Sequence, residues 1–360
     1  MRLSFLFPVS LLVLATSFGC ESKPSTNAKP ANSSGALASD ESYEVNEELQ
    51  GEVKIDGSST VFPISEAASA EFSKRFPNVS VTVGSSGTGG GFKKFNKGET
   101  DISDASRPVK AEEFASALKN NVKMIEVPVA YDGLTIVVHP DNDFLKEITV
   151  DQLKKIFNGD SPAQKWSDVD GAWPDREIKR YAPGTDSGTF DYFKEIVAGK
   201  TGSITDQLSA SESDNVLVTG VAGSVDAIGF FGVAYYEENK DKLRAVPVIN
   251  PKGEAVLPSM DAIKSGSYAP FSRPLFIYVN ADSMKRPEVR MFVEFYLDNA
   301  PELAAANAYP PLPMEVYELA RKNAQELTTG THFLEEKEGK MEKREGPIAE
   351  VFVSENRYEG

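Results

Sequence analysis

The sequence predicts an α/β protein, and three observations carry that prediction. Apolar residues switch between period-2 and helical spacing from about Glu52 to about Gln325. A short strand, a Gly/Ser/Thr loop and an amphipathic helix follow one another at three separate places. At 360 residues, 40% apolar and 26% charged, the composition is globular and the length suits about two domains of ~100–200 residues.

The first unit runs from Val53-Lys54-Ile55 through Gly57-Ser58-Ser59-Thr60 into a helix with Pro63 in its first turn, where a missing N–H costs least. Its apolar face is Ile64, Ala67, Ala68 and Phe72. In the second, Val79, Val81 and Val83 lead through Gly84-Ser85-Ser86-Gly87-Thr88-Gly89-Gly90-Gly91 to Phe92 and Phe95, with Gly98 as the expected C-terminal cap. In the third, Ile178 to Tyr181 leads through Pro183-Gly184-Thr185-Asp186-Ser187-Gly188-Thr189 to Phe190, Phe193, Ile196 and Val197, and Gly199 stops the helix.

A helix start leaves four N–H groups without intrahelical partners and carries roughly half a positive charge. Glycine lets backbone approach a ligand, and Ser or Thr hydroxyls add donors on the same rim. One such loop is no more than a capped turn; three in one chain point to a shared task, the holding of a compact oxyanion. Asp101-Ile102-Ser103-Asp104-Ala105-Ser106-Arg107-Pro108 adds a cation, since the fork of Arg107 matches two oxygens of a tetrahedral anion. Arg180 is a second candidate cation.

Other classes are excluded by what is missing. The net charge of -16, with no basic run, repels nucleic acid and anionic lipid. No Lys-Ser/Thr follows the glycine-rich loop as a P-loop needs, and there is no G-x-G-x-x-G. Two histidines, His139 and His332, and the single Cys20 cannot build the usual metal clusters. Ser187 has no G-x-S-x-G frame and no partnered histidine, so binding without chemistry or cofactor is the expected class. A secreted serine phosphoesterase acting through Ser187 is the alternative.

The flanks read differently. Residues 1–20 form a leader with Arg2 and an apolar run from Leu3 to Leu14, and Cys20 directly after Gly19 resembles a lipoprotein cleavage site, which predicts lipidation at Cys20. Simple secretion with cleavage at Ala36-Leu37-Ala38 is the other possibility. Membrane contact is then expected through the lipid alone. Residues 21–50 form a tether too poor in large apolar side chains to order itself, and 331–360 a charged, loosely attached C-terminal tail.

Ile55-Asp56-Gly57-Ser58-Ser59-Thr60-Val61-Phe62-Pro63-Ile64, GSSGTGGGFKKF from Gly84, DISDASRPV from Asp101, PGTDSGTFDYF from Pro183 and Ala227-Ile228-Gly229-Phe230-Phe231-Gly232 stand in a specific order. In that order they resemble the periplasmic phosphate-binding proteins of the phosphate ABC transporter, over about residues 52–325. The resemblance implies a monomeric, two-lobed type II periplasmic-binding-protein fold, each lobe a central sheet flanked by helices. Lobe 1 would comprise 51–130 plus 272–330 and lobe 2 131–271, with crossings near Val129-Ala130-Tyr131 and Phe271-Ser272-Arg273-Pro274. It implies extracytoplasmic, high-affinity binding of inorganic phosphate and its delivery to a membrane permease by closure of the lobes, or binding of another oxyanion such as sulfate or phosphonate.

Matching positions give Ser59, Thr60 and the Val61 amide from the first loop and Ser85, Gly87 and Thr88 from the second. Ser106 and Arg107 follow, then Ser187, Gly188 and Thr189 from the far lobe. Two departures stand out. Ser106 occupies the place of the family's aspartate that accepts the proton of HPO₄²⁻, so Asp104, two residues earlier and on the same side of an extended segment, is the expected acceptor. Pro183 falls near the place of the family's far-lobe arginine, and Arg107 is expected to substitute for it.

Overall fold

The computed structural model describes residues 43–360 apart from 186, 200 and 212. The leader, Cys20, tether residues 21–42 and Asp186 lie outside the described residues.

β1 (Gly51–Gly57) pairs in parallel with valine-rich β2 (Val79–Gly84) and with β3 (Ile102–Ala105). Helices α1 (Phe62–Arg75) and α2 (Thr88–Phe95) connect them, and α3 (Ala111–Lys119) leads to β4 (Met124–Val138). Every residue of β4 is buried, as its near-continuous apolar sequence requires. Next come α4 (Val150–Phe157), α5 (Trp166–Val169), β5 (Lys179–Pro183), α6 (Gly188–Val197), β6 (Ser209–Ser211), α7 (Asp214–Ala222), β7 (Ala227–Gly232) and α8 (Val233–Asn239). The short β8 (Arg244–Ala245), β9 (Val248–Ile249), β10 (Ala255–Val256) and α9 (Met260–Lys264) lead to β11 (Ser272–Asn280). The chain ends with α10 (Pro287–Ala306), α11 (Met314–Gln325), the hairpin of β12 (Leu334–Lys337) and β13 (Lys340–Lys343), and α12 (Ile348–Val351). Pro63 sits in the first turn of α1 and Gly98 takes a positive φ after α2, both as the sequence predicts.

A nine-stranded sheet of order β2-β1-β3-β11-β4-β7-β5-β6, with β8 pairing β4 off this path, forms the centre, and β9–β10 and β12–β13 make two separate two-stranded pairs. Its register explains the two lobes. β3 runs antiparallel to β11 and ends with Ala105 opposite Phe276. β7 runs antiparallel to β4 and ends with Gly232 opposite Leu134. The carboxyl ends of both parallel halves therefore face the stretch where Asp132 pairs with Arg273, the place where open α/β sheets bind ligands. The β4–β11 ladder skips a residue between Leu275 and Phe276, at Val129, with Pro128 and Pro274 beside the bulge. The Tyr317 hydroxyl donates to the Val129 carbonyl (2.7 Å), and the Tyr131 amide donates to Pro310 (2.8 Å).

Two expectations about the flanks need correcting. The end of the expected tether is packed: the Tyr43 ring meets Phe76 and Phe295 edge-on, and its hydroxyl donates to Asp298. The C-terminal segment is folded in rather than loosely attached. Glu338 and Gly339, both with positive φ, turn the charged stretch into a hairpin. Thr331, His332, Phe333, Ile348, Val351 and Phe352 bury themselves against lobe 1. The charges occupy the hairpin, and the apolar residues on either side of it make the contact.

A Cβ on Gly91 would lie 2.6 Å from the Gly57 Cα and 2.8 Å from the Asp56 carbonyl, so α2 can rest on the end of β1 only with glycine there. Gly91→Ala should lower stability by about 1–3 kcal/mol in urea unfolding, the cost of overpacking.

Candidate functional site

Four loops follow the carboxyl ends of parallel strands, and each is tied down by its own side chains. After β1, the Ser58 amide donates to the Asp104 carbonyl (2.9 Å). The Ser58 hydroxyl accepts from the amides of Thr60 (3.2 Å) and Val61 (3.4 Å). After β2, Asp56 holds the second loop, accepting from the Ser86 amide (3.1 Å), the Ser86 hydroxyl and the Lys94 ammonium. Burial alone would raise the Asp56 pKa, but the bonds from Lys94 and Ser86 outweigh it and leave it lowered. After β3, Ser106 takes the Thr88 hydroxyl as partner through both its amide and its side chain, each at 3.1 Å. After β5, the Ser187 hydroxyl caps α6 by accepting from Thr189.

The first three of these loops, with α6 opposite them, bound a cavity of about 340 Å³. Lobe 1 contributes Ser58, Ser59, Thr60, Gly87, Thr88, Ser106 and Arg107 to its lining, and the other side includes Asp191, Lys194, Glu195 and Arg273. An adjoining cavity of about 420 Å³ is lined by Ser187, Gly188 and Thr189 together with Ser59 and Asp132. The lobes touch between the two cavities. The Thr60 hydroxyl reaches the Gly188 carbonyl (3.4 Å), and a Cβ on Gly188 would lie 2.5 Å from the Thr60 Cα. The loops after β1, β2 and β3 thus share one space, and the loop after β5 meets them at Ser59 and Thr60.

Two arginines enter the first cavity. Arg107 is held by a fork-to-fork pair with Glu113, two bonds of 2.8 Å, and lies over the Phe92 ring. Burial works against its charge, but the Glu113 bonds prevail and its pKa is raised. Arg273 was read in the sequence only as part of a crossing. It stacks 3.5 Å from the centre of the Tyr192 ring, bonds Asp132 through Nε and Nη2 (3.2 Å each), and offers Nη2 to the Thr60 hydroxyl at 3.3 Å. Burial raises the Asp132 pKa, and Arg273 offsets that only in part. Arg273 thereby touches lobe 1, lobe 2 and the crossing strands at once.

The remaining predicted residues fall elsewhere. Ser85 is exposed and lines neither cavity. Val61 is fully buried, with its amide turned to Ser58. Ser58, absent from the sequence-based set, lines the cavity; its place in the same serine run was the available signal. Arg180 is buried among carbonyls, with Nε 2.7 Å from Ile156 O, and does not line either cavity. Asp104 is fully buried beneath the loops, accepting from the Ser65 hydroxyl (3.0 Å), and does not line either cavity. The same-side argument fails because β3 ends at Ala105 and the chain bends at Ser106. The carboxylates that do line the first cavity are Asp191, which accepts from the Ser59 hydroxyl (3.0 Å), and Glu195, 3.7 Å from Arg273. Neither histidine stands by Ser187: His139 accepts from the Asp141 amide, His332 lies against Glu126, and neither lines either of these cavities. No metal-ligating cluster occurs among the described residues.

The arrangement brings hydroxyls, the start of α2 and two guanidinium groups to one small space, which suits a compact anion. Comparison with known proteins agrees. The PBP superfamily domain matches residues 42–300. The phosphate-binding protein PstS of Staphylococcus haemolyticus is 43% identical, over 75% of this chain and 84% of its own length. This chain belongs to the PstS phosphate-binding family. A crystal structure of a possible phosphate-binding protein from Planctomyces limnophilus, 44% identical, superposes with a TM-score of 0.76 over 78% of this chain and 99% of that one. A putative phosphate ABC transporter substrate-binding protein from Clostridium perfringens, solved with bound phosphate, is 27% identical with a TM-score of 0.50, covering 73% of this chain and all (100%) of that one. The expected two-lobed fold and PstS likeness thus hold. Among the described residues no helix is long and apolar enough to cross a membrane.

Burial raises the Asp104 pKa from 3.8 to about 8, with Asp56 adding to it and Ser65 opposing. Between those two values the folded protein holds a proton that the unfolded chain has released, so stability falls as pH rises from about 4 to about 8. Thermal unfolding of Asp104→Asn against the parent should therefore show the variant gaining in relative stability over that range. A constant difference across it would contradict the assignment.

Proposed function

We propose that this chain is an extracytoplasmic phosphate receptor that closes its two lobes on inorganic phosphate and presents it to the permease of an ABC transporter. It works as a binding protein and not as an enzyme. The observation that carries this reading is the first cavity, at the facing carboxyl ends of both half-sheets, where Arg107 and Arg273 converge with Ser58, Ser59, Thr60, Thr88 and Ser106.

The anion accepts from those groups, and from Ser187, Gly188 and Thr189 when the far lobe settles on it. Desolvating a dianion is costly, and charge-assisted donors from both lobes offset it. A ligand touching both lobes favours the closed state by its differential affinity for it. Arg273 takes the part that the resemblance assigned to a far-lobe arginine, entering from the crossing strand instead. The proton-accepting part expected of Asp104 passes to Asp191 and Glu195, the carboxylates at the cavity. Lipid attachment at Cys20, a tether leading from it and a monomeric receptor complete the proposal, supported by the leader and cysteine spacing of the sequence.

Calorimetric titration with phosphate tests the reading. Arg107→Ala and Arg273→Ala should each weaken binding by roughly 10- to 100-fold, the loss of a charged hydrogen-bond partner. Asp191→Asn with Glu195→Gln should narrow the preference for phosphate over sulfate. Parental affinity in both arginine variants would overturn the site, and an unchanged preference would overturn the acceptor assignment.

A further inference from the structure

Behind the anion loop lies a buried polar cluster that takes no part in the cavity. The Glu126 carboxylate, 1% exposed, accepts from the Tyr278 hydroxyl (2.7 Å), the Thr331 hydroxyl (2.7 Å) and the His332 amide (2.8 Å), and His332 Nδ1 lies 3.0 Å away. A carboxylate so deep in the core is costly unless its oxygens are satisfied, and here both are. Two of those partners belong to the C-terminal segment, which lies beyond the matched superfamily domain. The third reaches toward Arg107. The Tyr278 hydroxyl, while donating to Glu126, accepts from the Val109 amide (2.9 Å), two residues from Arg107. Its ring packs on Phe92 (5.0 Å), the ring over which the Arg107 guanidinium lies at 5.7 Å. Burial and the Glu126 charge push the phenol pKa far up, so the proton it donates stays in place. The tail also touches α3, which carries Glu113, where Tyr358 packs on Phe114 (5.8 Å).

We infer that Tyr278, Glu126 and the C-terminal residues Thr331 and His332 are positioning residues for Arg107, so that the segment beyond α11 helps set the affinity of the anion site. The inference rests on Arg107 serving as an anion ligand, as proposed above. Without the relay, the 106–109 loop keeps its covalent path but loses its anchor at Val109, and Arg107 gains rotamers that compete with the bound geometry.

The test is a double-mutant cycle read by phosphate titration, with urea unfolding to establish that each variant is folded. Tyr278→Phe and, from the tail side, Thr331→Val should each weaken phosphate binding about fivefold to tenfold. Neither should weaken it further in an Arg107→Ala background. Losses that add in full to that of Arg107→Ala, or parental affinity in the folded Tyr278→Phe and Thr331→Val proteins, would overturn the relay while leaving the site standing. Parental affinity in Arg107→Ala would instead remove Arg107 from the site, and the relay with it.

Discussion

The pairing of β4 with β11 is the constraint on which the rest depends. β4 passes through both lobes with β11 antiparallel to its first part, from Met124 to Gly133, so the parallel strands hung on β11 and those hung on β4 must run in opposite senses. Opposite senses turn both sets of carboxyl ends inward. Loops that would otherwise lie at two distant edges then meet across one cleft, with the Asp132–Arg273 pair at the pivot. A bulge and two prolines interrupt the ladder close to that pair.

Charge is arranged on the same plan. The chain is strongly acidic overall, yet many of the acidic groups near the cleft already have partners: Asp56 with Lys94, Glu113 with Arg107, Asp132 with Arg273. Screening beyond ~8 Å at physiological salt leaves a captured anion to feel mainly the donors beside it. Asp191 and Glu195 on α6 contact the same Ser59 and Arg273 groups that are proposed to hold the anion, so on that proposal binding is an exchange of acceptors. That exchange links occupancy to the contact between the lobes.

Much of this was legible in the sequence, because backbone chemistry writes itself in residue types. Glycines, hydroxyls, Pro63 and the helix stops mark strand, loop and helix locally, and the loops fall where those residues stand. Arg273 was not legible as a cavity residue, since its place depends on the register of two strands about 140 residues apart in sequence. Asp104 misled for a related reason: alternation holds only while a strand continues, and β3 stops one residue later. The tail misled because its charges are local while its anchors, Thr331 and His332 on Glu126, are tertiary.

The most direct measurement of the central claim is a crystal structure of the protein grown in phosphate. The account predicts tetrahedral density in the cavity bounded by Ser58 to Thr60, Thr88, Ser106, Arg107 and Arg273, within hydrogen-bonding reach of the Ser187 to Thr189 turn. Density only at another surface, or a saturated protein whose bound anion touches a single lobe, would contradict it.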